Sequence, residues 1–539
     1  MIRRRELLKT SLAAAALSSP LSRTLLAAAD APAPVVEMKF GKVRGVSTGG
    51  VHTFKGIHYG ASTEAAARFM PPQPPKPWTG IFDALQYGTM APQNLSAATG
   101  SDIRIAMGDI FGPGGVGEDC LVLNVWTASL RGKQPAMVWL HGGGYTGGSD
   151  GAPTYDGTHL ARKRDVVVVG INHRLNVFGY LYLGGVGGEK YADSGNAGML
   201  DCVLALEWVR DNISHFGGDP GNVTIFGESG GGGKVSVLMA MPPAKGLFHK
   251  AIVESGSTLR VSTRDEADAA ARKFLAQLKV APDRVDDLQK VPMNQMLDAL
   301  KAMTGPNSIR LGPVVDGRSL PRQPFDPDAP AQSASVPMLI GTNGTESTAL
   351  LGIADGSLFS LDDAGMRAKL KTYLHLADDA QLDSLLAVYK KDRPNASPSD
   401  IYFAITTDRM MRMNAITQAE RKSEQGAAPA YMYIFDWRSP VLGGKLRSPH
   451  AIEMAFVFDN TDKTAGMNGT GADLAPLAEK VSSAWAAFAR TGNPNASGLP
   501  HWPAYDAKSR ATMIFNDECT VVDDPGRDDR LAITALPSA

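Results

Sequence analysis

The 539-residue sequence predicts an α/β fold in which helices flank a mostly parallel central sheet. Continuous apolar runs, typical of strands buried on both faces, occupy 121–126, 136–140, 165–172 and 222–227. Between the last two runs, four apolar residues recur at helical spacing: Met199, Val203, Leu206 and Val209. A strand, a helix and a second strand in this order are typical of a parallel βαβ unit.

The other elements follow from local patterns. Alternating residues with glycine breaks predict short antiparallel hairpins from 35 to about 60. Further strands are predicted at 336–343 and 428–437, and the mostly helical, charged stretch 354–425 between them predicts a lid or a packing layer. A late amphipathic helix, 474–492, precedes a short strand. Because no long linker interrupts 35–535, we expect one domain there.

The first 31 residues differ in composition from the rest. Arg4 and Arg5, followed by a leucine pair and a lysine, resemble a bacterial twin-arginine export signal, and Ala27 and Ala29 fit a cleavage site. A disordered basic tail is the alternative. Arg23 interrupts the apolar run, and no later stretch is apolar for long enough to span a bilayer. We therefore expect an exported protein, periplasmic or secreted, without a stable membrane span.

Composition narrows the classes of partner. The formal net charge of -1 and 20% charged residues give no indication of nucleic-acid binding or of a polybasic membrane patch. Three cysteines, at 120, 202 and 519, are too few for a disulfide framework and are not spaced as zinc ligands. A bridge between Cys202 and Cys519 stays open, as does the oligomeric state.

The stretch FGESGGGGKV, 226–235, places Ser229 on a turn between a buried strand and a predicted helix. Strand, G-x-S-x-G and helix in this order indicate a nucleophile whose hydroxyl projects beyond the carboxyl end of the sheet. Small neighbours allow the strained turn to pack closely. A flexible glycine-rich loop is the alternative. Glu228, beside the serine, is expected to bias the local field or to form a salt bridge.

A second glycine cluster follows the strand at 136–140. Gly142, Gly143 and Gly144 lie in HGGGY, and their unhindered N–H groups could bind an oxyanion together with that of Gly230. Loss of one such donor typically lowers the rate about 10²–10³-fold. The alternative is an ordinary glycine turn.

Chain order selects the candidate acid and the candidate base, because the nucleophile, the acid and the histidine follow one another in this order along the chain of α/β-hydrolases. His450 lies in a loop after the strand at 428–437, whereas His375 lies in a charged helical stretch and His501 between prolines and a tryptophan. Glu346 follows the strand at 336–343 and could orient His450. Its main rival, Asp316 in VVDGR, is better explained as a turn residue.

With these motifs in order, the sequence resembles the type-B carboxylesterases, the cholinesterase-like esterases with the α/β-hydrolase fold, as a bacterial member. The resemblance extends from about 35 to about 515 and includes GEDCLVLNVW, FGESGGG, GTNGTES and SPHAIEMAFVF. It implies a triad of Ser229, Glu346 and His450 and oxyanion donors at Gly143, Gly144 and Gly230.

Two departures from the family pattern bear on structure. The usual residue after the serine is alanine, but this chain has Gly230. The family often bridges the cysteine of EDCL to one preceding PQ, but Ala91 occupies that position, so Cys120 is expected to lack this disulfide.

The loop 94–116 and the helical stretch 354–425 are candidates for the walls of the substrate gorge.

The resemblance implies carboxylic-ester hydrolysis through an acyl-enzyme, with a small-molecule ester as substrate and no metal or organic cofactor. Amide, carbamate or lactone hydrolysis on the same triad stays open, and a non-catalytic binding protein is the least favoured alternative because the triad positions are filled. Because His450 must be neutral, we expect activity to fall around or below the usual histidine pKa of about 6.5.

Overall fold

A computed structural model describes residues 33–95, 102, 108 and 110–536 of the chain. The predicted export signal, 1–31, lies outside the described residues. The loop predicted to contribute to the gorge wall, 94–116, is described in part.

The strands follow the predicted order along the chain. They are Val35–Met38 (β1), Gly41–Arg44 (β2), Val46–Thr48 (β3), Val51–His58 (β4), Ile81–Asp83 (β5), Val122–Thr127 (β6), Gln134–Leu140 (β7), Val167–Ile171 (β8), Gly218–Glu228 (β9), Lys250–Glu254 (β10), Met338–Asn343 (β11), Ala430–Phe435 (β12), Ala511–Phe515 (β13) and Thr520–Asp523 (β14).

Helices alternate with the central strands and fill the longer connections. They are Thr158–Arg164 (α1), Asn176–Tyr180 (α2), Gly184–Gly187 (α3), Ala197–Asn212 (α4), Gly230–Ala240 (α5), Arg264–Leu278 (α6), Met293–Ala302 (α7), Glu346–Leu350 (α8), Asp363–Leu374 (α9), Asp379–Lys391 (α10), Pro398–Thr407 (α11), Met413–Gln425 (α12), Met454–Val457 (α13), Ala465–Asn468 (α14), Leu474–Thr491 (α15) and Arg527–Thr534 (α16).

The large sheet runs in the order β14-β13-β12-β11-β10-β9-β7-β8-β6-β4-β3, and β1, β2 and β5 form a small second sheet. From β8 to β13 neighbouring strands are parallel, which confirms the predicted α/β class. The pairs β1–β2 and β3–β4 are the predicted N-terminal antiparallel hairpins.

Two features of the sheet differ from the sequence prediction. The apolar run at 121–126 becomes β6, which pairs antiparallel with both β4 and β8, because burial on two faces determines hydrophobicity and not strand direction. The edge strands β5 and β14 were not predicted, and neither was the central strand β10. Its five residues are all buried, but a run this short cannot be told from a buried helix segment by pattern alone.

The core consists of two layers on either side of the large sheet. One layer packs α4, α5 and α12 against the sheet, and the other packs α1, α13 and α15. Val138 and Trp139, adjacent in β7, belong to opposite layers, as the alternation of a strand requires. Both faces are therefore covered, and the carboxyl edge of the sheet is left for the site.

The stretch 354–425 is a packing layer. Apolar residues of α9, α10, α11 and α16 form a hydrophobic cluster of their own, and α12 packs on β11 and β12. Within the described ranges, no helix has both the length and the hydropathy needed to cross a bilayer.

Candidate active site

Ser229 occupies the sharp turn between β9 and α5. Its backbone has φ 57° and ψ −121°, a conformation that non-glycine residues rarely adopt. Two backbone hydrogen bonds hold it, because Ser229 N donates to Glu254 O at 2.9 Å and Gly233 N donates to Ser229 O at 3.0 Å. The strain is therefore fixed by the neighbouring strand and by the helix.

The glycines on either side are required by close backbone contact. A Cβ atom on Gly227 would lie 2.6 Å from Leu140 O, and one on Gly231 would overlap the same carbonyl oxygen. Gly230 faces the other glycine cluster, since a Cβ there would lie 2.5 Å from Gly144 N. The alanine usual in the family would thus collide with Gly144 in this structure.

His450 and Glu346 form a bonded pair at the same edge of the sheet. Glu346 begins α8 directly after β11, and its Oε2 accepts a 2.5 Å hydrogen bond from His450 Nδ1. Its Oε1 accepts from Asn343 N at 2.7 Å and from Ser255 Oγ at 2.6 Å. These bonds orient the carboxylate and assign the Nδ1–H tautomer to the imidazole.

The second ring nitrogen of His450 contacts Glu228. Nε2 lies 3.1 Å from Glu228 Oε1, an ion-pair distance that lacks hydrogen-bond geometry. In the described part of the chain, Ser229 Oγ and His450 Nε2 do not form a hydrogen bond. The structure thus places the candidate base, His450, and the candidate nucleophile, Ser229, on the wall of one cavity, with the carboxyl group of Glu228 against the imidazole.

Burial and negative charge determine the protonation of this pair. Burial raises the pKa of Glu228 to about 8. Burial alone would lower the pKa of His450, but Glu228 and Glu346 outweigh it and raise that pKa to about 10. When Glu228 holds a proton, the charge that raises the pKa of His450 is reduced. Because the pKa of His450 is raised, the predicted loss of activity in acid moves to a pH above the ordinary histidine pKa of about 6.5.

Two more carboxyl groups lie behind the pair, and the sequence analysis did not identify them. Burial raises the pKa of Glu453 to about 7, and it raises that of Glu254 well above its usual range. Asn343 Nδ2 donates to Glu453 Oε2 at 2.6 Å, and Trp485 Nε1 donates to Glu254 Oε1 at 2.9 Å. Glu453 is three residues after His450, which is the one sequence signal that could have indicated it.

The glycine cluster after β7 forms a loop beside the turn at Ser229. Gly143 and Gly144 have φ 89° and 63°, values that favour glycine. A Cβ on Gly142 would lie 3.6 Å from Ser229 Cβ and 3.0 Å from Glu228 Oε2. The loop therefore meets the turn directly, and its amides lie close to the candidate nucleophile.

A cavity of about 610 Å³ opens onto these groups and includes Gly143, Gly144, Glu228, Ser229 and His450 in its wall. The rest of the wall is mostly apolar and is formed chiefly by Ile110, Phe111, Tyr155, Leu297, Leu300, Leu350, Ile353, Ala451 and Met454. The loop 94–116 thus contributes to the wall, as predicted. Among the described residues, α7 contributes instead of the stretch 354–425.

The alternative candidates for the base and the acid, His375, His501 and Asp316, are not part of the cavity wall in the described residues. His375 ends α9 in a left-handed conformation, and His501 is exposed in the connection before β13. Asp316 is a buried turn residue whose Oδ1 accepts from Leu320 N at 2.9 Å. The three cysteines are free thiols, so Cys120 lacks the family disulfide and Cys202 does not pair with Cys519.

Comparisons with known proteins cover nearly the whole chain. A family model described as "Carboxylesterase family" matches residues 32–533. Para-nitrobenzyl esterase of Bacillus subtilis is 36% identical over 509 residues, which cover 92% of this chain and 97% of that protein. Liver carboxylesterase of Sus scrofa is 35% identical and covers 92% of each chain. A solved Geobacillus stearothermophilus carboxylesterase gives a TM-score of 0.79 at 36% identity, covering 92% of this chain and 99% of that chain.

Proposed function

The chain belongs to the carboxylesterase family, has the α/β-hydrolase fold and is a carboxylic-ester hydrolase, and on this premise we propose that Ser229, His450 and Glu346 are its catalytic triad. One observation carries the proposal. The strained Ser229 and the Glu346-bonded His450 line the same cavity, although they are more than 200 positions apart in sequence.

In the proposed reaction, Ser229 Oγ attacks the ester carbonyl carbon and His450 Nε2 accepts its proton. The imidazolium then protonates the leaving alcohol, and water hydrolyses the acyl-enzyme by the same steps. Nε2 must exchange its contact with Glu228 for Ser229 Oγ, a change that substrate binding can supply because catalytic hydrogen bonds are often incomplete in unliganded sites. Glu346 stabilises the imidazolium from the other side.

The proposed oxyanion hole consists of the N–H groups of Gly143, Gly144 and Gly230. Gly143 and Gly144 lie in the cavity wall, and Gly230 lies against Gly144 at the start of α5. Backbone amides at a helix start favour negative charge, so the tetrahedral intermediate would be stabilised where it forms.

The cavity supports small esters as the substrate class. Its volume lies within the range usual for small-molecule sites, and its wall beyond the polar groups is apolar. We therefore infer an ester with uncharged, apolar acyl and alcohol parts. A panel of p-nitrophenyl esters of increasing acyl length, with p-nitroanilides in parallel, measures this preference. Turnover confined to the anilides would contradict ester hydrolysis by this site.

Ser229→Ala tests the nucleophile. We expect kcat to fall by about 10⁴-fold or more, because the covalent step is lost and only binding and oxyanion stabilisation persist. Ser236→Ala is the matched control, since Ser236 is a buried serine of the same helix that bonds to Gly232 O and Gln418. A Ser229→Ala enzyme that keeps more than a tenth of wild-type activity would refute the triad.

We also propose that residues 1–31 are a twin-arginine-type export signal and that 35–535 form one domain. The arginine pair at 4 and 5 and the small residues at 27 and 29 support export. Fractionation of bacteria expressing the full chain tests it. We expect enzyme activity outside the cytoplasm, and Arg4→Lys with Arg5→Lys should keep it inside. Equal export of the double variant would contradict this signal type.

A further inference from the structure

Lys234 is a buried lysine one turn and a half after Ser229 in α5. The residue is 0% exposed, and its Nζ donates two hydrogen bonds to the loop that carries Gly143 and Gly144. The acceptors are His141 O at 3.0 Å and Gly144 O at 2.9 Å. One side chain therefore ties the beginning and the end of the glycine loop to the helix that starts at Gly230.

These two bonds fix the peptide units around the candidate oxyanion donors. Carbonyl and N–H point in opposite directions across a trans peptide, so a tied carbonyl orients the amide of the next residue. The two carbonyls in between are tied as well, because Gly142 O accepts from His141 Nδ1 at 2.8 Å and Gly143 O accepts from Gly147 N at 3.1 Å. All four carbonyls are thus engaged, and the amides of Gly143 and Gly144 are left for a ligand.

The close approach of Gly230 and Gly144 fits this arrangement. A Cβ at 230 would lie 2.5 Å from Gly144 N, so the loop packs against α5 more closely than an alanine there would allow. Lys234 holds the loop on the helix at this point, because one of its two acceptors is the Gly144 carbonyl itself. The glycine and the lysine therefore act on the same contact.

The lysine also supplies charge. Burial lowers its pKa to about 8, which leaves it mostly protonated at pH 7. Across the described residues, no carboxylate lies within ion-pair distance of its Nζ, and the ring of Tyr145 lies 5.4 Å away. His141 stays neutral, because burial lowers its pKa to about 3. The ammonium group is therefore the positive charge on the rear side of the loop.

We propose that Lys234 is a positioning residue of the oxyanion hole, which holds the N–H groups of Gly143 and Gly144 in place by clamping the two peptide units that flank them. The inference rests on the proposed function of those amides. Lys234 does not touch the substrate. Its effect should appear in the transition state, where the oxyanion exists, and not in substrate binding.

The chain offers a matched control for a buried lysine. Lys422 in α12 is also 0% exposed and also donates to two backbone carbonyls, Ser333 O at 3.0 Å and Ala334 O at 2.7 Å. Burial lowers its pKa to about 8 as well. These acceptors precede β11, at the opposite end of the strand from Glu346. A comparison of Lys234 with Lys422 therefore separates a general effect on packing from an effect on the glycine loop.

The test compares Lys234→Met with Lys422→Met, since methionine preserves much of the side-chain length without the ammonium group. Rates are expressed per active site, titrated with a serine-directed organophosphate. Affinity is measured for a trifluoromethyl ketone, whose adduct with Ser229 carries an oxyanion. For Lys234→Met we expect kcat to fall about 10–100-fold and the ketone affinity to fall by the same factor as kcat/KM, with KM within about threefold.

For Lys422→Met we expect lower thermal stability with kcat per active site unchanged. The proposal is overturned if Lys234→Met keeps the wild-type kcat, or if its kcat falls while the ketone affinity does not. Should Lys234→Met fail to fold, Lys234→Gln, which keeps one amide donor, is measured with the same readouts. An active Ser229→Ala would refute the proposed function itself, whereas an inactive one beside a wild-type-like Lys234→Met refutes only this inference.

Discussion

Two buried clusters of charged side chains differ in how their charges are balanced. At the carboxyl edge of the sheet, four carboxyl groups converge near Ser229, and these belong to Glu228, Glu254, Glu346 and Glu453. Within the described residues, the group that ion-pairs with this cluster is one imidazole, that of His450, through Glu228 and Glu346. In the helical layer, the carboxylates of Asp408 and Asp529 face the guanidinium groups of Arg412 and Arg393.

The difference shows what each cluster does. In the helical layer each buried carboxylate has its own cation. The Asp529–Arg393 pair joins α16 to the end of α10, and the Asp408–Arg412 pair lies within one helical turn at the end of α11. At the sheet edge burial raises the pKa of three carboxyl groups, those of Glu228, Glu254 and Glu453, so they take up protons at a higher pH than exposed carboxyl groups do. Charge on Glu228 and Glu453 raises the pKa of His450, so we expect the proton occupancy of this cluster to affect the proposed base. For the cluster in the helical layer we expect an effect on helix packing alone.

Among substitutions in the two clusters, Glu346→Gln should have the largest effect on activity. The amide cannot supply the negative charge that stabilises the imidazolium, and it can present a donor to Nδ1 and so reverse the tautomer. We expect kcat to fall about 10³–10⁴-fold with KM little changed, measured by steady-state hydrolysis of a p-nitrophenyl ester. A fall smaller than tenfold would mean that another carboxyl group of the cluster orients His450.

Glu228→Gln should change the pH profile more than the maximum rate. A negative neighbour raises the pKa of His450, so its removal lowers that pKa and keeps the imidazole neutral to lower pH. We expect the acid limb of kcat/KM to move to lower pH by about one unit or more. Because glutamine has nearly the size of glutamate and needs no buried charge, we expect the free energy of unfolding of Glu228→Gln to change little.

The pH profile of Glu228→Gln is compared with those of the wild type and of Asp529→Asn in the same assay. An acid limb that stays at the wild-type position would show that Glu228 does not set the protonation of His450. The two clusters would then be alike in having no influence on the base.

Asp529→Asn should have the smallest effect on activity and a measurable effect on stability. Asp529 is buried and lies 2.6 Å from Arg393, whose side chain is 32% exposed and can be rehydrated. We therefore expect a loss of about 1–2 kcal/mol in the free energy of unfolding, less than for a fully buried pair, with kcat within about twofold. Urea denaturation and the ester assay measure the two quantities. A shifted pH profile would break the contrast between the clusters.

Local pattern was sufficient for the strands that are long and buried and for the late helix 474–491. It failed for β10, whose five residues carry no period, and for the antiparallel direction of β6, because hydrophobicity does not encode direction. Gly143, Gly144 and Ser229 could be predicted as candidate site residues because close backbone approach and strained φ require particular small residues at fixed spacing.

By itself the sequence determined the fold class, the tight turn at Ser229, the glycine loop and the order of the candidate residues Ser229, Glu346 and His450. These depend on residue type and spacing. Only the tertiary structure showed the Glu228 contact with His450, the carboxyl groups of Glu254 and Glu453, and the hold of Lys234 on the loop. The physical reason is that a backbone carbonyl can accept from any side chain brought near it, and burial can raise the pKa of any carboxyl group. Neither effect can be inferred from residue type and spacing, because each arises only when folding brings distant residues into contact.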